Sequence, residues 1–440
     1  MPAESLNAVA LAVNNKPTLP SSYKIGVLAQ SAISLTALAA ARIHALRNGT
    51  PSVPKVDVPL EHATVEFKSE RLYVLDGKPT PSPWGPIGGL HETSDGYIRV
   101  HDSFPNHANG ILELAGLPIG STRQQLSKKL INWLAVDLEN AATSKAISNF
   151  PIDVNQISSA GPKGLPTRLA GGNSKPLQGL RVVEMSRVIA APLCGKTLAA
   201  YGADVIWVTS PNLPDLPTMD RDFGRGKRTV QLDIHNSSDK ARLIELIRTA
   251  DVFIQGFRPG SLAAHGLGAE DLLKLNPSLV VANMSAFGPR GPWSARRGYD
   301  SLVQTCSGMN VSGAEYAGKG EAARRTPCQA LDHAGGYWLA TGVLAALYKR
   351  ATLGGAWMVD VSLAGAMKYL RSLGQYPGTS GFAGIRDYEK PEDVPEEFFE
   401  TRKTGFGVMK AIRHSARIEG VEIGWDVMPK PLGSDSPEWR

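Results

Sequence analysis

Short apolar strands alternate with helices from residue 180 onward, and this alternation constrains the fold more than any other feature of the sequence. Alternating β and α units predict a parallel sheet covered by helices, in which ligands bind at the carboxyl ends of the strands. We therefore predict an α/β fold whose large domain is Rossmann-like and spans residues 176–440. The predicted strands are LRVVEMS (180–186), DVIWVTS (204–210), RTVQLDI (228–234), DVFIQGF (251–257) and LVVANMSAF (279–287).

The chain before this domain has a different organisation. A β-rich piece is predicted at 66–77, and turn residues separate two short strands at 84–104. Helices are predicted near 106–115 and 122–147, so we expect a smaller α+β domain here. A stretch rich in Gly, Ser and Pro follows it and is typical of a linker. The predicted boundaries are 1–22 for a flexible tail, 81–156 for the small domain and 157–175 for the linker.

One internal repeat joins the two parts of the chain. SAISLTALAAARIHAL (31–46) is followed by VDVPL, and DHAGGYWLATGVLAAL (332–347) is followed by VDVSL at similar spacing. In this register Ser31 falls opposite Asp332. The similarity has two interpretations: chance resemblance between two alanine-rich helices, or a duplicated unit whose first copy has lost its carboxylate. We predict 23–80 to be a degenerate repeat of the large-domain helix and strand.

Composition excludes several classes of protein. The net charge of +6 is mild for 440 residues, and nucleic-acid-binding motifs are absent, so we expect no nucleic-acid partner. The three cysteines lie far apart without a CxxC pair, which argues against a zinc site or a disulfide framework. We see neither an uninterrupted apolar run of about 18 residues nor a signal peptide. We therefore expect no membrane association and a cytoplasmic location.

A carboxylate stands near the head of an apolar helix in CQALDHAGGYWLATGVLAALYKR. Carboxylates are seldom buried unless they are paired or functional, and Gly335 and Gly336 would let a ligand or backbone approach closely. The alternative role for Asp332 is an N-cap for a helix that begins near Ala334. Both roles can coexist because a helix N-terminus stabilises anions. For His333 we favour a structural hydrogen bond over a role as general base.

Several segments together resemble the family III CoA-transferases, the superfamily of formyl-CoA and carnitine CoA-transferases and α-methylacyl-CoA racemases. A further segment, 89–118, looks like the opening of that family's small domain but here precedes the large one. The chain therefore resembles a rearranged or partly duplicated member. The matching segments are PLQGLRVVEMSRVIAAPLCGKTLAAYGADVIWV (176–208), GKRTVQLD (226–233), FRPGSLAAHGLG (257–268), SAFGPRGPWSARRGYDSLVQTCSG (285–308) and QALDHAGGYWLATGVLAALYKRATLGGAWMVDVSL (329–363).

The resemblance implies a chemistry and a set of partners. Asp332 matches the family's nucleophile, which forms an acyl-aspartyl anhydride and then an aspartyl-CoA thioester. Coenzyme A would be a co-substrate, with no permanently bound cofactor and no metal. Acyl-CoA and a small carboxylic acid would be the substrates. A homodimer is implied, possibly interlocked, with each active site between a large and a small domain. Whether the small domain docks within its own chain stays open.

The same resemblance implies residues for binding coenzyme A. The SRVIAAP turn would lie against it, and its helix N-terminus suits a pyrophosphate. GKT at 195–197 is not a P-loop, because that motif needs glycine where Ala190 stands. The alternatives to contact with coenzyme A are that residue 187 is an ordinary surface arginine and that 221–229 is a solvated basic loop. Gly256 and Ala264 depart from the family pattern and weaken the expectation of ordinary affinity. The implied contacts are Arg187, Val188, Ile189, Ala190, Lys227, Arg228, Phe257, Arg258 and Gln304.

Three functions stay open at this point. Racemases of this superfamily carry a histidine where this chain has Tyr299, and tyrosine is a poor base at neutral pH, so transfer is favoured over racemisation. Asp300 is expected to be structural. A non-catalytic partner that binds coenzyme A is the third possibility, motivated by Ser31, the reordered halves, Gly256 and Ala264.

Overall fold

The computed structural model describes residues 3–11, 16–82, 84–133, 151–169 and 174–440. The helices are α1 (Ile25–Asn48), α2 (Leu60–Glu66), α3 (Pro105–Leu114), α4 (Arg123–Leu130), α5 (Ala190–Ala200), α6 (Pro217–Phe223), α7 (Ser237–Arg248), α8 (Ala269–Leu275), α9 (Asp300–Cys306), α10 (Met309–Ala317), α11 (Ala330–Leu353) and α12 (Leu363–Ser372). The strands are β1 (Val9–Ala10), β2 (Val56–Asp57), β3 (Val74–Leu75), β4 (Lys78–Pro79), β5 (Gly89–Glu92), β6 (Tyr97–Val100), β7 (Ile152–Ser158), β8 (Arg181–Met185), β9 (Asp204–Thr209), β10 (Lys227–Gln231), β11 (Val252–Gln255), β12 (Val280–Ser285), β13 (Ala356–Ser362), β14 (Phe399–Thr404), β15 (Gly407–Ile412) and β16 (Arg417–Ile418).

A seven-stranded sheet forms the centre of the protein, in the order β10-β9-β8-β11-β12-β13-β7. All neighbouring strands are parallel except β7, which runs antiparallel to β13. The chain builds outward from β8 through β9 to β10 and then crosses to β11 on the other side. Such a reversal opens a crevice at the carboxyl edge of the sheet. The predicted α/β class with a parallel sheet is confirmed.

The central strands are apolar on both faces, which explains why the sheet is covered on both sides. Val182 and Ile254 face the core that α1, α5 and α11 share, whereas Val183 and Phe253 face the core under α7 and α8. Successive strand residues point to opposite faces, so a continuous apolar run requires a helix layer on each side. The alternating β and α units of the sequence therefore produce a three-layer sandwich.

Helices α1 and α11 are each 24 residues long and pack against each other. The Thr36 hydroxyl, within 2.9 Å, donates to the carbonyl oxygen of Tyr337 and pairs with the hydroxyl of Thr341. In the register of the internal repeat, Thr36 falls opposite Tyr337, so equivalent positions touch at this contact. The order helix, Val-Asp-Val strand, helix also recurs, because α2 begins at Leu60 and α12 begins at Leu363. The duplication hypothesis requires this order.

The β-rich piece predicted at 66–77 is largely wrong. Helix α2 runs to Glu66, a 3-10 turn follows at Ser69–Arg71, and β3 holds only two residues. The buried carboxylates of Glu66 and Glu70 accept hydrogen bonds from the rest of the protein, and these tertiary contacts override the local β propensity. Of the helix predicted at 122–147, α4 ends at Leu130, and positions 134–147 lie outside the described residues.

Several strand pairings and contacts cross the predicted domain boundaries. Strand β7 crosses the boundary set at 156 and joins the large sheet beside β13. Strands β3 and β2 of the 23–80 segment pair with β15 and β16 near the end of the chain. Within the predicted tail, β1 pairs with β2 and Leu19 is buried. The domain division itself stays a prediction.

Helix α1 has the length and apolar composition of a membrane span. Most of its residues are nevertheless buried inside the protein, where it packs on α11. A core helix of this kind passes the same test of length and composition as a membrane span.

Candidate functional site

A cavity of about 520 Å³ opens at the carboxyl edge of the central sheet. Its wall includes residues that end or directly follow four parallel strands: Ser186 after β8, Thr209 in β9, Gly256 after β11 and Ser285 in β12. The cavity therefore lies where the strand order reverses, as the sequence analysis predicts for a ligand site.

The turn from β8 into α5 forms one wall of this cavity and contains Arg187, Val188, Ile189 and Ala190. Val188 has a φ of +73°, a left-handed conformation that β-branched residues rarely adopt. Ile189 precedes α5 without a side-chain hydrogen bond to the first turn. The turn thus presents an uncapped helix N-terminus beside the cavity, which is a favourable setting for an anion.

Arg187 is held in place by two contacts. Its guanidinium donates to the carbonyl oxygen of Pro214 and lies 4.6 Å from the centre of the Phe104 ring. Partial burial lowers its pKa, but the group stays a cation at neutral pH. The cavity wall therefore carries a fixed positive charge beside the helix N-terminus.

Asp332 is buried, with 6% of its surface exposed, and lies on the cavity wall. Helix α11 begins at Ala330, with Gln329 as N-cap, so the alternative role of Asp332 as an N-cap is wrong. Burial, followed by the nearby carboxylates of Asp300 and Glu70, raises its pKa well above the ordinary value. This environment favours the protonated form of Asp332 more than water does.

Asp300 ties the head of α11 to α9. Its Oδ2 accepts the backbone N–H groups of Leu331 at 2.8 Å and Asp332 at 3.1 Å, and its Oδ1 accepts the side-chain amide of Gln304. Burial raises its pKa to about 6 against the opposing effect of these donors. The structural role expected for Asp300 agrees with this geometry, and its position beside Asp332 adds an electrostatic one.

Aromatic residues from the 81–156 segment cover the Asp332 end of the cavity. The ring of His101 stacks on Tyr299 at 4.2 Å, and Phe104 and His107 lie within 6.4 Å of the same ring. Tyr299 and His107 both line the cavity. The small-domain segment thus docks within its own chain. The sequence analysis did not single out His101 or His107. The signal that could have found them is the HDSFPNH turn, which begins and ends with a histidine inside the segment that resembles the family.

Phe257 and Arg258, two of the predicted contacts of coenzyme A, also line the cavity. Gly256 has a packing reason: a Cβ at this position would lie 2.8 Å from the Cβ of Ala191 in α5. Gly336 is similar, since its Cβ would lie 2.6 Å from the carbonyl oxygen of Ala190. Of the two expected roles, close approach by a ligand or by backbone, the backbone one fits Gly336, because it lets α11 approach α5.

Three predicted contact residues are not at the cavity. Lys227 lies under α5 and donates to Glu184 at 2.8 Å and to the carbonyl oxygen of Pro192 at 2.7 Å. Arg228 forms a two-pronged ion pair with Asp204. Strand β10 is buried along most of its length, so its cations are committed to internal partners. Gln304 is likewise buried, between Asp300 and the backbone N–H of Thr326.

His333 follows Asp332 in sequence but is not part of the cavity wall. Its Nε2 pairs with Glu70 at 3.1 Å, and its ring lies 5.1 Å from that of Phe67. The geometry agrees with the structural hydrogen bond favoured for this residue. Among the described residues, Nδ1 of His333 has no hydrogen-bond partner.

Comparison with known proteins identifies the class. The family model described as CoA-transferase family III matches residues 177–416, more than half of the 440-residue chain. The chain belongs to CoA-transferase family III.

Individual relatives match parts of the chain. A probable fatty acyl-CoA transferase of Mycobacterium tuberculosis, Rv3272, is 36% identical over 203 residues, which cover 43% of this chain and 51% of that protein. The acetyl-coenzyme A transferase nodX of Hypoxylon pulicicidum is 26% identical over 443 residues, covering 85% of this chain and 73% of its own length. A CAIB/BAIF family protein from Brucella suis is 27% identical with a TM-score of 0.41, covering 54% and 65%. The chain thus spans about half the length of the mycobacterial relative.

Proposed function

We propose that the protein is an acyl-CoA:carboxylate CoA-transferase that works through a covalent intermediate on Asp332. The observation that supports this most directly is the position of Asp332: a buried carboxyl group on the wall of a cavity that also contains the β8–α5 turn. Membership of CoA-transferase family III gives the reaction class, and the cavity gives a place for it.

The chemistry requires one carboxyl group and a shielded space. Asp332 attacks the thioester carbonyl of the donor, forming an anhydride and releasing coenzyme A. The sulfur of coenzyme A then attacks the aspartyl carbonyl and releases the donor acid. The acceptor carboxylate then attacks the aspartyl thioester, forming a second anhydride and releasing coenzyme A. The sulfur of coenzyme A attacks the acceptor carbonyl of this anhydride, which gives the CoA thioester of the acceptor and frees Asp332. Each step is easier than direct exchange between two acids, because activated acyl groups are retained throughout.

The cavity offers contacts for the anionic parts of coenzyme A. Arg187, Val188, Ile189 and Ala190 would hold the pyrophosphate against the uncapped helix end, and Arg258 would pair with a phosphate. Phe257 would pack on the adenine. Lys227, Arg228 and Gln304 are left out of this proposal because their polar groups are engaged elsewhere.

Racemisation is less compatible with the same geometry. It needs two bases that flank the α-carbon of an acyl-CoA. Burial raises the pKa of Tyr299 above its ordinary value, so less of it is present as phenolate, the form that can act as a base, at neutral pH. His333 pairs with Glu70 away from the cavity wall. In heavy water, a transferase leaves the α-hydrogen in place, whereas a racemase exchanges it for deuterium.

Covalent trapping tests the proposal. The protein is mixed with a panel of acyl-CoAs and hydroxylamine, and its peptides are mapped by mass spectrometry. We expect a hydroxamate on Asp332 and none on Asp215, Asp220 or Asp233, three other carboxyl groups of the cavity wall. The Asp332→Asn variant is the matched negative control. Absence of an adduct with every donor, or labelling of another carboxyl group, would contradict the proposal. Stabilisation by coenzyme A without any adduct would instead point to a non-catalytic partner.

The substrates, assembly and location are part of the proposal. We infer acyl-CoA and a small carboxylic acid as substrates, a homodimer as the assembly and the cytoplasm as the location. Membership of the family supports the substrates. Sedimentation analysis of the purified protein tests the homodimer, and imaging of the tagged chain tests the location.

A further inference from the structure

Two buried aspartates meet at the head of α11, close enough for the charge of Asp300 to act on Asp332. Asp300 is fully buried and Asp332 nearly so, and the backbone N–H of Asp332 donates to Asp300 at 3.1 Å. Within the described ranges, neither carboxyl group forms an ion pair with a lysine or arginine. Two close carboxyl groups in a buried place do not both ionise near neutral pH, so the pair holds a proton.

The hydrogen bonds decide which member is ionised. Both oxygens of Asp300 accept N–H groups: two from the backbone of α11 and one from Gln304. The orientation of Gln304 is itself fixed, because its Oε1 accepts the backbone N–H of Thr326 at 3.2 Å. Hydrogen bonds donated to a carboxylate favour its charged form. Asp300 is thus arranged as the anion, which leaves the proton on Asp332.

We propose that Asp300 is a positioning residue that fixes the head of α11 and, through its negative charge, keeps Asp332 protonated until acyl-CoA enters the cavity. This inference rests on the proposed function of Asp332. It assigns a role to a residue that the sequence alone makes merely structural.

A protonated Asp332 changes the proton balance of the first step. As its oxygen forms a bond to the thioester carbonyl carbon, the carbon–sulfur bond breaks and the proton passes to the leaving sulfur. Asp332 and acyl-CoA therefore give the mixed anhydride and neutral coenzyme A thiol. In the second step the thiol forms the aspartyl thioester, and its proton passes to the departing donor acid. Both steps balance without another acid or base.

Other charged groups around Asp332 also affect its titration. The 3-10 turn contributes Glu70, which favours the protonated form of Asp332, and His333 on α11 pairs with that glutamate. The segment before α9 contributes Tyr299 and the exposed Arg297, and the β8–α5 turn contributes Arg187. Asp300 is the group among these whose carboxylate directly binds the α11 backbone at Leu331 and Asp332.

The test compares two variants. Asp300→Asn removes the charge but turns an amide toward the amide of Gln304. The double variant Asp300→Asn with Gln304→Glu keeps donor and acceptor matched across this pair and moves the charge one helical turn away. The readout is the pH dependence of kcat/KM together with single-turnover trapping of Asp332. Because the protonated form of Asp332 is the one that reacts, kcat/KM should fall as pH rises through the pKa of Asp332. Removing a negative neighbour lowers that pKa, so this alkaline limb of the profile should move to lower pH by about one unit or more in both variants.

An unchanged alkaline limb in the double variant would overturn the inference. If wild-type Asp332 still forms a hydroxamate, the proposed function survives that result; if wild type forms none, the function itself fails. A second measurement covers variants that do not fold. The infrared spectrum of the wild-type protein at neutral pH should contain a protonated carboxyl band that Asp332→Asn removes. Absence of this band would overturn the inference as well.

Discussion

Helices α1 and α11 have the same length and similar alanine-rich sequences and pack on each other, yet only α11 contributes to the cavity wall. The difference lies at their heads. α11 carries Asp332 in its first turn, and Asp300 from α9 binds that turn. In α1, which begins at Ile25, the matching position Ser31 lies past the first turn, and its hydroxyl donates to the carbonyl oxygen of Leu28 within the helix.

The comparison shows that a site depends on what surrounds a helix terminus more than on the helix itself. The first turn of α1 packs against Thr18 and Thr64, since a Cβ at Gly26 would lie within 3.0 Å of both side chains. The head of α11 faces a cavity, a second buried carboxylate and an uncapped helix N-terminus. A carboxyl group at Ser31 would have none of these neighbours, so the duplicated helix supports packing without chemistry.

The largest expected effect on turnover comes from removing the carboxyl group at position 332, and the comparison is tested by adding one at the matching position 31. Asp332→Asn should reduce turnover by about a thousandfold or more, because the amide cannot form the anhydride. The fold should persist, since asparagine is nearly isosteric with the neutral acid. Adding Ser31→Asp to that variant should restore nothing. Initial rates and circular dichroism check both variants; recovered turnover in the double variant would break the comparison.

The next effect concerns how the α1 segment is held. Glu66, at the end of α2, accepts hydrogen bonds from His414, Tyr337 and Ser415 at 2.6–2.9 Å, and all are buried. Breaking a buried network of this kind costs about 3–5 kcal/mol. We expect Glu66→Gln to lower the free energy of unfolding by that amount, measured with urea. The control is Asp57→Asn, which changes an exposed side chain of β2 that lies 3.9 Å from Arg417, and it should change the stability little.

The same network gives a pH dependence. Despite burial, which acts in the opposite direction, His414 and its hydrogen bond hold the pKa of Glu66 well below its ordinary 4.5. A depressed carboxyl pKa contributes stability above the unfolded value and loses it as pH falls. Wild-type stability should therefore decrease below about pH 4.5, and the Glu66→Gln variant should lose less over the same range. Equal losses in the two proteins would exclude the network as the cause.

An effect of intermediate size is expected from the glycines that α11 has and α1 lacks. At the repeat positions of Gly335 and Gly336, α1 carries Ser34 and Leu35. A Cβ at 336 would lie 2.6 Å from a backbone carbonyl oxygen of α5, whereas at 335 its nearest neighbour is a flexible methyl at 3.2 Å. We expect Gly336→Ala to cost about 1–3 kcal/mol of stability and to disturb the β8–α5 turn. Gly335→Ala is the matched control. Equal thermal shifts would contradict the packing argument.

The sequence predicts the α/β class because the apolar strands of 180–287 need helices on both faces. It also points to Asp332 and the β8–α5 turn, because their flanking segments resemble motifs of the family and such motifs are local in sequence; their roles stay predictions. It misplaces Lys227 and Arg228, because cations beside glycines are typical of phosphate loops, and their partners Glu184 and Asp204 lie far from them in the chain. Such pairing depends on strand order and is not visible in a single sequence.

The smallest expected effect tests the contact between the two helices directly. The hydroxyl of Thr36 bonds to the carbonyl oxygens of Ala32 and Tyr337 and pairs with Thr341. Thr36→Val should cost about 1 kcal/mol, because Thr341 keeps its bond to the carbonyl oxygen of Tyr337. A double-mutant cycle with Thr341→Val should give a coupling energy of about 0.5 kcal/mol or more, since the two hydroxyls are in contact. Strict additivity of the two stability changes would mean that the hydroxyls of Thr36 and Thr341 do not interact energetically. The contact between the two helices would then depend on packing, without a hydrogen bond between repeat positions.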